Sequence, residues 1–227
     1  MHELFRIESI SKEYGEVQNS VKALDNVSLT IKRRDIISIS GPSGAGKSTL
    51  LKLLSGLDRA DNGEILFNNQ KYSELNNDKL TELRLNEFGF VFQHFNLLPS
   101  MNVRDNIYLP SIIKTGQVEK KLFDSIIEQL GIGNRLSHMP EQLSGGEKQR
   151  VAIARALITS PSVIFADEPT GNLDSKNSTR VFELLFDLVK EYEQTLIYVT
   201  HEPDKAAIAP RKIVIKDGRI SEMVSEI

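Results

Sequence analysis

A chain of 227 residues can bury one sizeable core, and 40% apolar with 26% charged residues is ordinary globular composition. With 28 basic against 31 acidic residues, a formal charge of −3, there is no surplus of positive charge to grip a nucleic-acid backbone. There is no cysteine for a disulfide or thiolate metal site, no leader-like apolar start, and no apolar run of the ~18 residues a membrane span needs. A soluble chain is expected, with any membrane role supplied by another polypeptide.

Read in order, Phe5 and Ile7 alternate with polar neighbours, as do Val27, Leu29 and Ile31, and both stretches predict strands. Lys32-Arg33-Arg34 reads as a solvated turn. Residues 36–40, IISIS, form a short apolar strand that runs into a glycine-rich turn, after which STLLKLLSGL takes helical spacing. A strand is expected at 64–67, a helix at 78–86 and a strand at 88–92. In VEKKLFDSIIEQLGI the residues Val118, Leu122, Phe123, Ile126, Ile127 and Leu130 share one helical face, and Gly131 is the stop. A second helix is expected over 145–158. A buried strand at 162–166, a helix at 176–191, and strands at 195–200 and 212–216 follow. Strand, helix, strand in the last third predicts a parallel sheet with right-handed crossovers.

Gly41, Pro42, Ser43, Gly44, Ala45, Gly46, Lys47, Ser48 and Thr49 spell G-x-x-x-x-G-K-[ST] between a predicted strand and helix. Such a loop turns backbone N–H groups inward around phosphate oxygens. Lys47 brings an ammonium to the β- and γ-phosphates, Ser48 offers a hydroxyl to Mg²⁺, and Thr49 reaches a neighbouring oxygen. In SVIFADEP, Asp167 and Glu168 fall at the C-terminal end of a strand, the edge where open α/β sheets bind ligands. There Asp167 can hold Mg²⁺ through water, and Glu168 can orient and deprotonate an attacking water. EQLSGGEKQR, residues 141–150, opens a helix with a serine and paired glycines, a second arrangement suited to an anion.

GPSGAGKST, Gln93, LSGGEKQR, ADEP, GNLD and His201 stand in the order found in ATP-binding subunits of ABC transporters, which the chain resembles over nearly its whole length. The resemblance implies an α/β fold: a P-loop NTPase core with a mixed, largely parallel sheet and an antiparallel β subdomain, 1–93 and 161–227. A helical subdomain, 94–160, would be inserted and carry the signature, making one ABC ATPase domain of 1–227. It implies ATP and Mg²⁺ as ligands and a head-to-tail homodimer in which two ATPs are sandwiched. Ser144, Gly145 and Gly146 of one copy would then meet the γ-phosphate held at Lys47 of the other, so that one chain needs two grips. The signature also reads locally as a capped helix start.

By the same resemblance, Gln93 ligates Mg²⁺ and senses the γ-phosphate, and His201 hydrogen-bonds it. Asp174 communicates between sites while also suiting a helix cap. Tyr14 stacks on adenine, with Phe5 and Tyr72 as competing rings. His2, His94 and His138 read as surface residues. FGFVFQHFNLLP, GLD and ADEPTGNLD resemble the branch holding the LolD, MacB and FtsE ATPases, whose partners are permeases with a large extracytoplasmic domain. That places the chain in the cytoplasm, peripheral on the inner face of the membrane, with no fused membrane part and no C-terminal regulatory extension. Residues 93–99 and the helical segment after them would receive a short cytoplasmic helix of the partner. Phe95, Leu97 and Leu98 would supply apolar contact, whereas Phe92 suits the core. The alternative is a soluble ABC-type ATPase acting on ribosomes or DNA; the net charge and the single ATPase unit speak against it.

Overall fold

The computed structural model describes residues 3–15 and 20–225. The chain divides into two compact units, Met1–Arg84 with Thr195–Ile227, and Leu85–Gln194. The first opens with β1 (Glu3–Tyr14) and β2 (Val21–Lys32), antiparallel partners. Phe5 and Ile7 point inward as their alternation predicts, yet Ile10 breaks the phase. A register shift between Ile7 and Ile10, with Ser9 at φ 49°, adds a residue and returns Ile10 to the buried face. Then come β3 (Ile36–Ser40), α1 (Lys47–Leu54), β4 (Asn62–Phe67), β5 (Gln70–Lys71) and α2 (Asn77–Glu87). Strands in the order β2-β1-β4-β5 form an antiparallel sheet whose buried rings Phe5 and Phe67 lie 4.9 Å apart.

The second unit holds β6 (Phe88–Phe92), α3 (Val103–Thr115), α4 (Lys120–Leu130), α5 (Gly145–Leu157), β7 (Val163–Asp167) and α6 (Ser175–Glu191). β6 and β7 run parallel, in register from Phe88↔Val163 to Phe92↔Asp167. On α4 the predicted face is buried at Phe123, Ile126, Ile127 and Leu130, and Gly131 at φ 62° ends the helix. The expected helical segment 94–160 lies inside this unit. Helix α3 has no clear periodicity and carries Pro110 in its interior. Its start is fixed instead by polar side chains. Asn102 accepts from the Asp105 N–H, 2.9 Å. Asn106, fully buried, accepts from Leu98 N (2.7 Å) and donates to the carbonyls of Leu98 (3.1 Å), Met101 (2.9 Å) and Asn102 (3.0 Å).

The chain re-enters the first unit with β8 (Thr195–Val199), α7 (Pro203–Ile208), β9 (Arg211–Lys216) and β10 (Arg219–Ser225). In the order β10-β9-β3-β8, β3 is parallel to β8 and β9 while β10 is antiparallel to β9, so the sheet is mixed. Ile37, Ile39, Ile197, Tyr198, Val199 and Ile213 of this sheet are completely buried. The hairpin that adds β10 was not anticipated. Its signal is Asp217-Gly218, both at positive φ, which is hairpin-turn chemistry. Among the described residues no helix is long and apolar enough to cross a membrane.

Replacing Asn106 by Ala removes four part-buried hydrogen bonds. The Leu98 and Asn102 carbonyls keep the N–H groups of residues 101 and 106, while the Leu98 N–H and the Met101 carbonyl lose the Asn106 amide. Unfolding in urea is expected to show a loss of about 2–4 kcal/mol, with a changed protease sensitivity at 98–102.

Candidate functional site

In the first unit the phosphate loop leaves β3 at Ser40. Gly41, Gly44 and Gly46 sit at φ 143°, 77° and 105°, which L-residues rarely adopt. A Cβ at Gly41 would run into the Ile215 carbonyl, so the first position is closed to any side chain. Lys47 is buried, and its ammonium donates to the carbonyls of Gly41 (3.0 Å) and Pro42 (2.8 Å), drawing the loop into a ring around the charge. Ala45 is buried, while Pro42, Ser43 and Gly44 are exposed and Ser48 and Thr49 half-buried. Helix α1 starts from Gly46 with no side-chain cap and no acidic residue in its first turn. Its leading N–H groups and dipole are therefore left to an anion.

His201 is exposed two residues beyond β8. Parallel pairing of Ile39 with Val199, and the Thr200 N–H donated to the Ile39 carbonyl (3.2 Å), bring it to the same sheet edge as Gly41. Both residues line a cavity of about 470 Å³. Of the three rings weighed for a base, Phe5 is fully buried. Tyr72 is buried too, with its hydroxyl donated to the Leu54 carbonyl at 2.7 Å. Tyr14 alone of the three is exposed.

In the second unit the register Phe92↔Asp167 sets Gln93 and Glu168 as the next residues of neighbouring parallel strands, at their C-terminal edge. Glu168 has φ 46°, an uncommon backbone state for a residue with a side chain. A Cβ at Gly171 would lie 2.9 Å from Gln93 Nε2 and 3.3 Å from Glu168 Oε2, so both side chains fold over that glycine. Asn172, which the sequence did not single out, donates to the Gln93 carbonyl at 2.8 Å and pairs with His94 Nδ1 at 3.1 Å. Arg155 donates to the carbonyls of Phe95 (2.8 Å) and Asn96 (2.6 Å), fixing the turn after Gln93. Among the described residues no group of three His, Cys, Asp or Glu forms a metal cage. The donors expected for Mg²⁺, a hydroxyl at Ser48, an amide oxygen at Gln93 and a carboxylate at Asp167, are all hard oxygens with one formal charge. That set fits a Mg²⁺ that keeps waters and takes its other ligands from phosphates.

The second grip is built differently. Ser144 caps α5 in a reciprocal box: its Oγ accepts from Glu147 N at 3.3 Å, and its own N–H donates to Glu147 Oε2 at 2.8 Å. Arg135 Nε donates to Glu147 Oε1 at 2.7 Å. Arg135 first, then the Ser144 N–H and hydroxyl, hold the Glu147 carboxyl down at about 2. A Cβ at Gly145 would sit 3.2 Å from Leu173 Cδ2, whereas one at Gly146 would meet only Asn177 and Arg150 at 3.6 Å or more, ordinary contact. The packing of this unit therefore does not demand glycine at 146. Asp174 caps α6, accepting from Asn177 N (3.1 Å) and Asn177 Nδ2 (2.6 Å), and Asn177 in turn packs beside the buried Gly146.

His94 is exposed as expected, and His2 lies outside the described residues. His138 departs from the surface reading. It is half-buried with Nδ1 unpartnered, because its carbonyl accepts the Val103 N–H (2.9 Å) and draws the residue in against the start of α3. Phe92, Phe95 and Leu97 are half-buried and Leu98 is exposed, as are Ile112 and Ile113 on α3.

Residues 24–171 match the family model described as ABC transporter. The chain is 45% identical over 222 residues to the macrolide export ATP-binding/permease protein MacB of Marinobacter nauticus, covering 96% of this chain and 34% of that protein. It thus spans about a third of the length of the MacB relatives it matches. It is 41% identical to the lipoprotein-releasing system ATP-binding protein LolD of Cytophaga hutchinsonii, over 97% of this chain and 100% of that one. A solved dimeric post-hydrolysis state of the ATP-binding cassette MJ0796, from Methanocaldococcus jannaschii, bound to ADP and Pi, superposes with TM-score 0.89 at 37% identity, covering 99% of each chain.

Because folding lowers the Glu147 pKa from 4.5 to about 2, its contribution to stability is complete above 4.5 and is lost as pH falls toward 2. Glu147→Gln is expected to destabilise most near neutral pH. The gap from the parent in urea midpoint should shrink steadily between about pH 5 and about pH 3.

Proposed function

The chain belongs to the ABC transporter family of ATP-binding subunits, and from that premise we propose that it hydrolyses ATP as half of a head-to-tail pair that drives a membrane permease. The observation that carries this reading is the contrast between the two helix starts. Helix α1 leaves its N–H groups without a cap, as a site for its own nucleotide does. Helix α5 is capped from within at an exposed serine, Ser144, and is followed by a glycine pair whose second member packing does not require, since a Cβ at 146 would make only ordinary contacts, as a start offered to another molecule does. The MJ0796 cassette, similar over 99% of both chains, is a dimer with ADP and Pi bound.

In this reading the loop from Gly41 to Thr49 receives the phosphates, and Lys47 exchanges its carbonyl partners for the β- and γ-oxygens. Tyr14 presents its ring to adenine. When Mg²⁺ is bound, it neutralises charge on the β- and γ-oxygens; Ser48, Gln93 and Asp167 are the residues that would hold it. Glu168 orients a water and takes its proton as the water oxygen bonds to the γ-phosphorus. The bond to the bridging oxygen then breaks, leaving ADP and phosphate. His201 donates to the γ-phosphoryl group, and Ser144, Gly145 and Gly146 of the second copy close over it. Asp174, through Asn177, ties that closing surface to α6.

The membrane partner would bear a large extracytoplasmic domain, as the resemblance to the LolD and MacB branch implies, and would hold this chain at the inner face of the membrane. Its cytoplasmic helix would lie on Phe95, Leu97 and Leu98, with Ile112 and Ile113 of α3 adding apolar area. The alternative, a soluble ATPase acting on ribosomes or DNA, draws no support from a chain of charge −3.

With saturating Mg·ATP, Glu168→Gln is expected to run as a dimer in size-exclusion chromatography with light scattering while turning over at least ~100-fold more slowly. Ser144→Arg, at an exposed position, is expected to keep the folded monomer and its ATP affinity, yet lose dimer and turnover together. A Ser144→Arg monomer that still hydrolyses ATP at the parental rate would sink the paired site.

A further inference from the structure

Two charged side chains, Asp58 and Lys12, hold the exposed ring of Tyr14, and neither has a role in the site described above. The Tyr14 hydroxyl donates to Asp58 Oδ2 at 2.7 Å. The other oxygen of Asp58 accepts from Lys12 Nζ at 3.0 Å and from the Arg59 N–H at 2.7 Å. Lys12 also donates to the Arg59 carbonyl (2.8 Å) and to Asp61 Oδ1 (3.3 Å), and its ammonium stands 5.2 Å from the centre of the Tyr14 ring. Asp61 in turn accepts the Glu13 N–H at 2.7 Å, and its own N–H reaches the Ser11 carbonyl at 2.9 Å. The Asp58 N–H donates to the carbonyl of Lys52, inside α1, at 3.2 Å. Burial first, with Asp58, pushes the Tyr14 hydroxyl above its usual range, while Thr49 of the phosphate loop and Lys12 act against that rise.

Such a density of bonds is out of keeping with a ring left 42% exposed at the end of β1. A tyrosine at a strand end ordinarily keeps two free rotors and a solvated hydroxyl. Here the hydroxyl is tethered to Asp58, in the turn beyond the end of α1 at Leu54, one face is set beneath an ammonium, and the rest of the ring is exposed. The tether matters because α1 carries Lys47 at its first position. A bond from Tyr14 to Asp58, and from Asp58 back to Lys52 of α1, fixes how far the ring stands from the phosphate loop.

We infer that Asp58, braced by Lys12, is a positioning residue that locks the Tyr14 ring at a set distance and angle from the phosphate loop, so that one nucleoside triphosphate meets both at once. The inference rests on the reading of Tyr14 as the adenine platform. Pre-ordering the ring removes the rotor entropy that base binding would otherwise cost. The lock acts on the base end of the ligand and leaves the phosphate end alone.

Calorimetric titration of the full chain with Mg·ATP and, separately, with inorganic tripolyphosphate and Mg²⁺ tests this. Tyr14→Ala is expected to weaken ATP binding by at least about tenfold through lost stacking, leaving tripolyphosphate unchanged. Tyr14→Phe, which keeps the ring and the fold, and Asp58→Ala are each expected to weaken ATP about three- to tenfold and tripolyphosphate not at all. The double variant should be no weaker than the weaker single, since both remove one bond. If Tyr14→Ala leaves ATP binding intact, the platform reading and the lock both fail. If Tyr14→Ala weakens ATP but Tyr14→Phe and Asp58→Ala match the parent, the platform survives and the lock is refuted. A loss at Asp58→Ala shared equally by tripolyphosphate also refutes it, since Asp58 would then act on α1 itself.

Discussion

One buried ammonium organises the nucleotide end of the first unit. Lys47 sits under a loop whose glycines occupy backbone states closed to other residues, and it satisfies its charge on the Gly41 and Pro42 carbonyls. An ammonium buried in protein needs partners of high electron density, or it loses its proton. The two carbonyls supply that in the ligand-free loop, and phosphate oxygens supply it better. The loop is therefore pre-formed around its own cation, with the incoming anion replacing neutral acceptors by charged ones. Everything downstream follows that geometry. The Ile39–Val199 register brings His201 to the same edge, and α1 carries the position of Lys47 out to Asp58.

Two helix starts that look alike in sequence are electrostatically opposite. At α1 no side chain competes for the leading N–H groups. At α5 the serine and glutamate of the signature bond each other, and Arg135 keeps that glutamate ionised. A self-capped start is a poor trap for a free anion, because Glu147 already places negative charge there. What it offers is shape: a rigid first turn behind an exposed Ser144, with Asn177 held by Asp174 alongside. A start of that kind favours an anion whose charge is largely neutralised elsewhere, as it is for a nucleotide already seated on a lysine and a divalent cation. In the proposed reading the signature therefore recognises a loaded partner and is a poor site for ATP alone.

Much of this was legible in the sequence because it depends on local rules. Alternation gave β1 and β2, the 3.6-residue period gave α4 and its glycine stop, and the loop motif gave the strand–turn–helix at Gly41. What escaped reading depends on long-range partners. Helix α3 is hidden by Pro110 and by a weak apolar face; Asn106, which anchors it, binds carbonyls of a loop that local pattern cannot place. Ile10 was invisible as a core residue without the bulge at Ser9. Asp58 appeared only as part of a family-like GLD string, although its carboxylate reaches Tyr14, 44 positions earlier. The hairpin at Asp217-Gly218 and helix α7, which opens on Pro203, are misses with a plain local signal.

The same distinction separates the chemistry of the site from its calibration. Lys47, Asp167, Glu168 and His201 are legible because the proposed reaction calls for their functional groups at the phosphate loop and just past the ends of parallel strands. Residues that set angles and distances have no such obligatory chemistry: Asn172 against Gln93, Arg155 on the turn after it, Asn177 beside Gly146 and Asp58 at Tyr14 are ordinary polar side chains until their partners are known. Each is held by bonds to backbone or to carboxylate, which cost little to form and much to leave half-made. That asymmetry keeps a catalytic constellation rigid without apolar packing, at a surface that must stay open to a ligand and a partner. Under the proposed pairing, a site assembled from two chains needs its halves rigid beforehand, and polar bonds of this kind would provide that rigidity.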